Sequence, residues 1–181
     1  MRIESTDLPG VLLIEPRVFE DARGYFFESF NQRAFDEAVG APLRFVQDNQ
    51  SRSQRGVLRG IHYQLQHPQG KLVRVLSGEI YDVAVDLRRA SPTFGRWTAR
   101  RLSADNRLQF WIPAGFGHAF LALSETAEVF YKTTDFYAPG DERCVRWDDP
   151  QLSIDWPLDG EPLLSAKDAA APTLNDAEVY P

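Results

Sequence analysis

Cysteine, histidine and long apolar runs are scarce in this sequence. One cysteine among 181 residues excludes an internal disulfide, and three histidines leave few candidates for a histidine-rich metal cage. No apolar run approaches the ~20 residues of a membrane-spanning helix, and residues 1–5 show no signal-peptide pattern. The net charge of −6 argues against general nucleic-acid binding, which needs a broad basic field. We therefore expect a soluble, cytoplasmic protein that binds neither nucleic acid nor membrane.

The length and the strand patterns favour one all-β domain spanning residues 1–181. A hydrophobic content of 43% excludes disorder as the main state. In residues 80–87, Tyr81, Val83 and Val85 alternate with polar positions that include Asp82 and Asp86, which is the period of a half-buried strand. Short strands at regular spacing predict a jelly roll and not βαβ units. The other predicted strands are residues 72–76, 97–102, 108–112, 119–123, 128–133 and 143–147.

Helical signals are confined to two short segments. Asn31 can cap a helix over residues 32–39, and Gly40 provides its end. Ser165 and Asp168 have the spacing of a capping interaction and predict a second helical turn. The segment 169–181 is rich in alanine and proline, so we expect it to pack loosely.

Two histidines lie in distinct motifs. His118 ends the segment PAGFGH, whose Pro-x-Gly-x-x-His spacing resembles that of cupin-type β-barrels. His62 lies where metal-binding cupins carry His-x-His, but here Gln64 occupies the second position. With only His67 left in the sequence, a zinc or iron site with three or four good ligands is not expected. We therefore expect no metal and no cofactor, and a histidine that is free to move protons.

Cations are concentrated between residues 44 and 74. This segment carries six positive side chains against Asp48 alone. Arginine pairs bidentately with phosphate oxygens, so a compact basic mouth would suit a small dianion such as a diphosphate. The alternative is a set of solvated surface arginines. The six cations are Arg44, Arg52, Arg55, Arg59, Lys71 and Arg74.

Six segments resemble those of the dTDP-4-dehydrorhamnose 3,5-epimerase family, in order and over nearly the full chain. They are residues 21–26 (DARGYF), 45–49 (FVQDN), 57–62 (VLRGIH), 69–74 (QGKLVR), 82–86 (DVAVD) and 164–168 (LSAKD). The resemblance implies a cupin-like jelly roll (a double-stranded β-helix) with one or a few short helices, a homodimer and no cofactor. It also implies a role in making dTDP-L-rhamnose for bacterial surface polysaccharides such as O-antigen. Residues 17–30 are candidates for crossing between subunits.

The resemblance also assigns catalytic roles. His62 matches the family's base, and Asp168 its partner, which orients the ring. Tyr131 matches the proton donor, and Lys71 the group that stabilises charge on the carbon-4 oxygen. From the residues alone two alternatives remain open, because Asp168 can simply cap the turn at Ser165 and Tyr137 can replace Tyr131 as the acid. The substrate-binding positions implied are Arg23, Phe26, Glu28, Gln47, Asn49, Arg59, His118, Tyr137, Glu142 and Lys167.

Three other functions compete with double epimerisation. A relative that inverts a single carbon in an antibiotic-sugar pathway would retain the same histidine, aspartate and tyrosine. A metal-dependent cupin oxygenase is disfavoured by Gln64 and the shortage of histidines. A sugar-binding or storage module would have no use for an aligned base, carboxylate and acid.

Overall fold

The computed structural model describes residues 1–181 and contains thirteen strands and two helices. The strands are β1 (Arg2–Ser5), β2 (Leu12–Glu15), β3 (Val18–Asp21), β4 (Gly24–Phe27), β5 (Gln47–Gln54), β6 (Leu58–Gln64), β7 (Lys71–Ser77), β8 (Glu79–Asp86), β9 (Trp97–Ser103), β10 (Gln109–Ile112), β11 (Phe116–Ala122), β12 (Thr126–Thr133) and β13 (Glu142–Cys144). The helices are α1 (Gln32–Val39) and α2 (Ala166–Ala169). Neither helix has the length that crossing a membrane requires.

Two antiparallel sheets form the body of the protein. One has the strand order β1-β2-β10-β7-β12-β5, and the other β13-β6-β11-β8-β9. A separate hairpin consists of β3 and β4. The predicted cupin-like jelly roll with short helices is therefore confirmed. The last of the predicted strands, residues 143–147, is shorter in the structure, where β13 ends at Cys144.

Three apolar clusters hold the layers together. The first lies between the sheets and includes Val73, Ala84 and Phe110. The second covers the outer face of the five-stranded sheet, and the third lies between α1 and the outer face of the six-stranded sheet. Both faces of each sheet are thus covered over much of their area. Removing this apolar surface from water is the main driving force for folding.

The expected half-buried character of residues 80–87 was wrong. Val83 and Val85 do share one face, which packs in the outer cluster. Asp82 and Asp86 on the opposite face are nevertheless fully buried, because that face borders the space between the two sheets. Asp86 is accommodated there by hydrogen bonds from Arg88 and neighbouring hydroxyls.

The expectation of a loosely packed tail was also wrong. Leu174, Ala177 and Tyr180 are buried in the outer cluster of the five-stranded sheet. The Tyr180 hydroxyl donates a hydrogen bond to the Gln64 carbonyl oxygen at 2.7 Å. The few apolar side chains of this alanine- and proline-rich segment are therefore enough to fix it as a cover.

The helix boundaries agree with the prediction. The Asn31 side chain accepts a hydrogen bond from the Ala34 amide, and Gly40 ends α1 with φ of 77°. Such a left-handed residue at the end of a helix favours glycine. The second predicted turn is α2, which is capped by Ser165.

Candidate active site

His62 and Asp168 form a dyad at the edge of the inner space. His62 Nε2 lies 2.5 Å from Asp168 Oδ1, although 106 residues separate them in sequence. Asp168 is buried, and Ser165 Oγ donates a hydrogen bond to its second oxygen at 2.9 Å. Burial opposes ionisation, but the hydrogen bonds from His62 and Ser165 still lower the pKa of Asp168 below its usual range. An ionised Asp168 places the proton of a neutral His62 on Nε2, so Nδ1 is left as a free base.

An irregularity in β6 brings Arg59 and His62 to the same face. His118 of β11 is paired with His62, and Phe120 with Arg59, with a register shift between the two pairs. Because residues two apart on β11 share a face, their partners also share one. Gly60 is required at this point. A Cβ atom there would lie 2.5 Å from the His118 carbonyl oxygen, and the φ of Gly60 is +115°.

A second histidine–aspartate pair lies deeper between the sheets. His118 Nε2 is 2.7 Å from Asp82 Oδ1, and both side chains are buried. Burial lowers the pKa of His118, although the Asp82 charge opposes this shift. Oδ2 of Asp82 has no hydrogen-bond partner. The pair thus places an imidazole held by a carboxylate, and one carboxylate oxygen without a partner, at the floor of the site.

Lys71 brings a positive charge to the same floor. It is 9% exposed and begins β7 on the face that carries Val73 into the inner cluster. Burial lowers the pKa of Lys71 to about 8, although Glu142 and Asp82 favour its charged form. No carboxylate forms an ion pair with it. A buried ammonium without a partner is costly, so Lys71 is a candidate for binding a negatively charged ligand.

Tyr131 occupies the opposite sheet. It belongs to β12 and packs against the inner cluster. Its ring centroid lies 6.4 Å from that of His118, which itself is paired across the strands with His62. Burial raises the pKa of Tyr131, and the positive charge of Arg59 partly offsets this effect. Since its hydroxyl makes no hydrogen bond within the chain, Tyr131 retains a proton that it can donate into the inner space.

A polar cluster lines the rim beside the dyad. Lys167 Nζ forms an ion pair with Glu142 Oε2 at 2.8 Å, and the Tyr137 hydroxyl donates to the same oxygen at 3.0 Å. The Tyr137 amide donates to the side chain of Gln47, whose own amide donates to Asn49. These five predicted binding residues therefore form one connected network. The ring of Tyr137 is half exposed and is available for stacking.

The basic mouth is smaller than the sequence indicated. Arg59 Nε donates to Ser53 Oγ at 3.1 Å and borders a pocket of about 510 Å³ that is also lined by His62 and Asp168. Arg52 lies opposite Glu128 in the pairing of β5 with β12. Glu128 is three positions from the inward-facing Tyr131, so Arg52 is on the outward face. Arg74 stacks over Phe130 on the outer face. Arg59 at this pocket and Lys71 between the sheets therefore remain the candidate cations of the site.

Three predicted binding residues lie elsewhere in the single chain. Arg23 and Phe26 belong to the β3–β4 hairpin, and Glu28 follows it directly. Arg23 is highly exposed and paired only with Asp21, while Glu28 accepts a hydrogen bond from Asn31. The hairpin packs over the outer face of the six-stranded sheet, through contacts such as Arg74 with Phe27. One chain does not bring these residues to His62.

The prediction from sequence missed two neighbours of the dyads. Asp82, the partner of His118, was assigned to a strand face and to a family segment but to no role in the site. The Cys144 Sγ atom lies 3.7 Å from Asp168 Oδ1. Its position directly opposite His62 across β6 and β13 could have been found only from the pairing of those strands. Gln64, which stands where cupins carry a second histidine, is buried and bonds to backbone groups of His67, Phe136 and Ala138.

Comparison with known proteins identifies the family. The family model for dTDP-4-dehydrorhamnose 3,5-epimerase matches residues 5–176. The dTDP-4-dehydrorhamnose 3,5-epimerase of Pseudomonas aeruginosa is 62% identical over 181 residues, 100% of each chain. The solved structure of dTDP-6-deoxy-D-glucose-3,5-epimerase from Legionella pneumophila, in complex with dTDP-4-keto-L-rhamnose, is 54% identical with a TM-score of 0.95 and covers 97% of this chain and 93% of that one.

A monoepimerase resembles the chain less closely. ChmJ, a 3'-monoepimerase from Streptomyces bikiniensis in complex with dTDP-quinovose, is 40% identical, with a TM-score of 0.89 over 94% of this chain and 86% of that one. The shared fold therefore includes enzymes that differ in the number of carbons inverted. From the family match and the near-complete coverage, this chain belongs to the dTDP-4-dehydrorhamnose 3,5-epimerase family of isomerases.

Proposed function

We propose that the protein converts dTDP-4-dehydro-6-deoxy-D-glucose to dTDP-4-dehydro-L-rhamnose by inverting carbons 3 and 5, as a step of dTDP-L-rhamnose biosynthesis. One observation carries the proposal. His62 on one sheet, held by Asp168 of α2, and the unpaired hydroxyl of Tyr131 on the other sheet both border His118, with a buried cation beside them. A base and an acid on opposite walls are what inversion at carbon requires.

The first chemical step is removal of a proton next to the 4-keto group. The ketone acidifies the hydrogens on carbons 3 and 5, and Nδ1 of His62 accepts one of them. The positive charge that develops on the ring is stabilised by Asp168 at Nε2. This pairing keeps the imidazole in one orientation and one tautomer, which is the role of the carboxylate in related catalytic dyads.

The electron pair left on carbon moves onto the carbon-4 oxygen as an enolate. Lys71 is the group proposed to stabilise this oxygen, because it is buried, cationic and unpaired. A positive charge in a dry site acts more strongly than one in water. His118, fixed by Asp82, is proposed to bind the substrate next to it.

Tyr131 then returns a proton to the opposite face of the ring carbon, and the configuration is inverted. Its raised pKa keeps the phenol protonated until an enolate is present. Tyr137 is a weaker candidate for this role, since its hydroxyl already donates to Glu142. We assign Tyr137 to stacking on the nucleotide base.

The dTDP group is proposed to bind along the rim network of Gln47, Asn49, Glu142 and Lys167, with Arg59 on the diphosphate. Arg23, Phe26 and Glu28 are proposed to reach this site from a second copy of the chain in a homodimer. Supporting this, the hairpin exposes Phe19, Tyr25 and Phe26 to solvent, each by at least half of its surface. A hairpin of this apolar character is typical of an interface.

Subunit complementation tests the crossing of the hairpin. Arg23→Ala and His62→Ala are purified separately, then mixed under conditions that exchange subunits. If Arg23 serves the neighbouring site, a mixed dimer contains one intact site, and activity rises above that of either variant. If the hairpin serves its own chain, no mixed dimer has an intact site and no recovery occurs. Sedimentation measures the mass of the assembly and so tests whether the protein is a dimer.

Inversion of a single carbon is the second candidate, kept because of the likeness to ChmJ. Incubation with the keto-sugar nucleotide in deuterated water separates the two. Deuterium at both carbon 3 and carbon 5, with dTDP-4-dehydro-L-rhamnose as product, supports double epimerisation. Deuterium at one carbon alone would replace the proposal by the monoepimerase.

A further inference from the structure

Cys144 adds a thiol to the His62–Asp168 dyad that the reaction does not use. Ligand atoms of Cys144, His62 and Asp168 all lie within 4.8 Å of one another. The arrangement follows from strand pairing. Ile61 and Val145 exchange both backbone hydrogen bonds, so the next pair, His62 with Cys144, is a non-hydrogen-bonded pair whose side chains approach closely on one face.

From this cluster we infer that the dyad is a binding site for one thiophilic divalent cation, such as zinc or cadmium, and that its occupation inhibits the enzyme. Imidazole, thiolate and carboxylate are together a ligand set that zinc takes in proteins. A water molecule from the pocket would complete a tetrahedral shell. Binding would release the thiol proton of Cys144 to solvent as the metal–sulfur bond forms.

The distances fit such a site after a small movement. Tetrahedral zinc with ordinary bond lengths requires about 3.5 Å between sulfur and oxygen ligands and about 3.3 Å between nitrogen and oxygen ligands. The Cys144 Sγ to Asp168 Oδ1 distance is already 3.7 Å. His62 Nε2, now 2.5 Å from Asp168, must withdraw by about 0.8 Å to admit the metal. The His62 side chain is 25% exposed and has room to turn toward the pocket.

The ligand set determines the expected selectivity. A cysteine ligand favours zinc and cadmium over cations that prefer oxygen. Magnesium prefers oxygen ligands and octahedral geometry and should not bind here. The inhibition follows because a metal on His62 and Asp168 separates the base from its partner. This consequence rests on the proposed role of His62, whereas metal binding does not.

Cadmium titration of the substrate-free protein tests the site directly. We expect an ultraviolet thiolate-to-cadmium absorption that saturates at one cadmium per chain, and no such band in Cys144→Ser or Cys144→Ala. Absence of the band in the wild-type protein, or its persistence in both variants, would overturn the inference. The wild-type measurement decides even if one variant does not fold.

Inhibition is then compared as the ratio of rates with and without zinc in each protein. We expect the zinc concentration that halves the rate to rise at least about tenfold in Cys144→Ser, because loss of even an outer-shell partner of a metal ligand costs about 10- to 100-fold in affinity. His67→Asn is the matched control, because His67 also lies beside a carboxylate, that of Asp135, but outside the site. Unchanged inhibition in Cys144→Ser, or its loss in His67→Asn, would contradict the inference. Cadmium binding without inhibition would confirm the site and count against the role of His62.

Discussion

Replacing Lys71 by methionine should stabilise the protein and slow the reaction at the same time. Methionine has a similar shape and no charge, so the substitution removes the buried ammonium with little change in packing. Lysine ordinarily titrates near 10.5, and burial lowers the pKa of Lys71 to about 8. A difference of about 2.5 pKa units at about 1.4 kcal/mol per unit amounts to about 3.5 kcal/mol. This is an upper limit on the stabilisation.

The sign of the pH dependence follows from proton binding. Between pH 8 and 10.5 the unfolded chain holds a proton on Lys71 that the folded chain has lost, so wild-type stability rises with pH across this window. Below pH 8 both states are protonated and the full cost of the buried charge is present. The stability difference between Lys71→Met and the wild type should thus be greatest below pH 8 and vanish by about pH 10.5. Taking this difference removes the contributions of other groups that titrate in this range, since both proteins contain them.

The rate should respond in the opposite direction. Loss of a preorganised group that stabilises an oxyanion typically lowers kcat by about 100- to 1,000-fold. The wild-type rate should also fall above pH 8 as Lys71 loses its proton, and this decline should be absent in the variant. Urea unfolding and steady-state kinetics across the pH range measure both effects. A less stable variant with unchanged kcat would refute the assignment of Lys71 to the enolate.

Three further predictions concern binding, backbone geometry and metal. Arg59→Ala should weaken dTDP binding by about 1.5–3 kcal/mol in calorimetry, as expected for a hydrogen bond to a charged group, whereas Arg52→Ala on the outward face should have little effect. Equal losses in both variants would mean that only the general charge matters. Gly60→Ala should cost at least about 2 kcal/mol of unfolding free energy, because of the positive φ and the approach of β11. Gly140→Ala, where nothing lies within 4 Å of the added carbon, should be near neutral, and a stable, active Gly60→Ala would mean that the irregularity in β6 does not require glycine. Activity should survive chelation and dialysis. Gln64 stands where metal-binding cupins carry a histidine ligand, and its amide is hydrogen-bonded to the backbone instead. Stoichiometric zinc or iron in the active protein, with activity lost when the metal is removed, would favour the oxygenase alternative.

Sequence predicted the features of the fold that depend on neighbours in the chain. The start of α1 at Asn31 and its end at Gly40 are local, because a cap and a left-handed glycine act within one turn. The alternation of residues 80–87 likewise predicted the correct strand and the correct faces. It could not show that the polar face is enclosed, since the burial of Asp82 depends on a second sheet that is distant in sequence. The prediction of a loosely packed tail was wrong for the same reason.

The candidate site was predictable mainly through the family resemblance. Nothing in the residues around His62 indicates a partner 106 positions away, and the spacing of Ser165 and Asp168 is explained equally well by a helix cap. The structure shows both contacts at once, because the Asp168 amide donates to Ser165 Oγ and the Asp168 carboxylate lies 2.5 Å from His62 Nε2. For Arg23 even the structure of one chain does not show the proposed contact, since that contact requires a second chain.

Deuterium exchange in Tyr131→Phe and His62→Ala tests the central claim that His62 is the base and Tyr131 the acid. His62→Ala should incorporate no deuterium from solvent at carbon 3 or carbon 5, because the base is absent. Tyr131→Phe should still form the enolate and take up deuterium from His62 on the face it left, with retained configuration and little net epimerisation. Mass and NMR analysis of the recovered sugar distinguishes these outcomes. Double inversion by Tyr131→Phe at near wild-type rate would contradict the account.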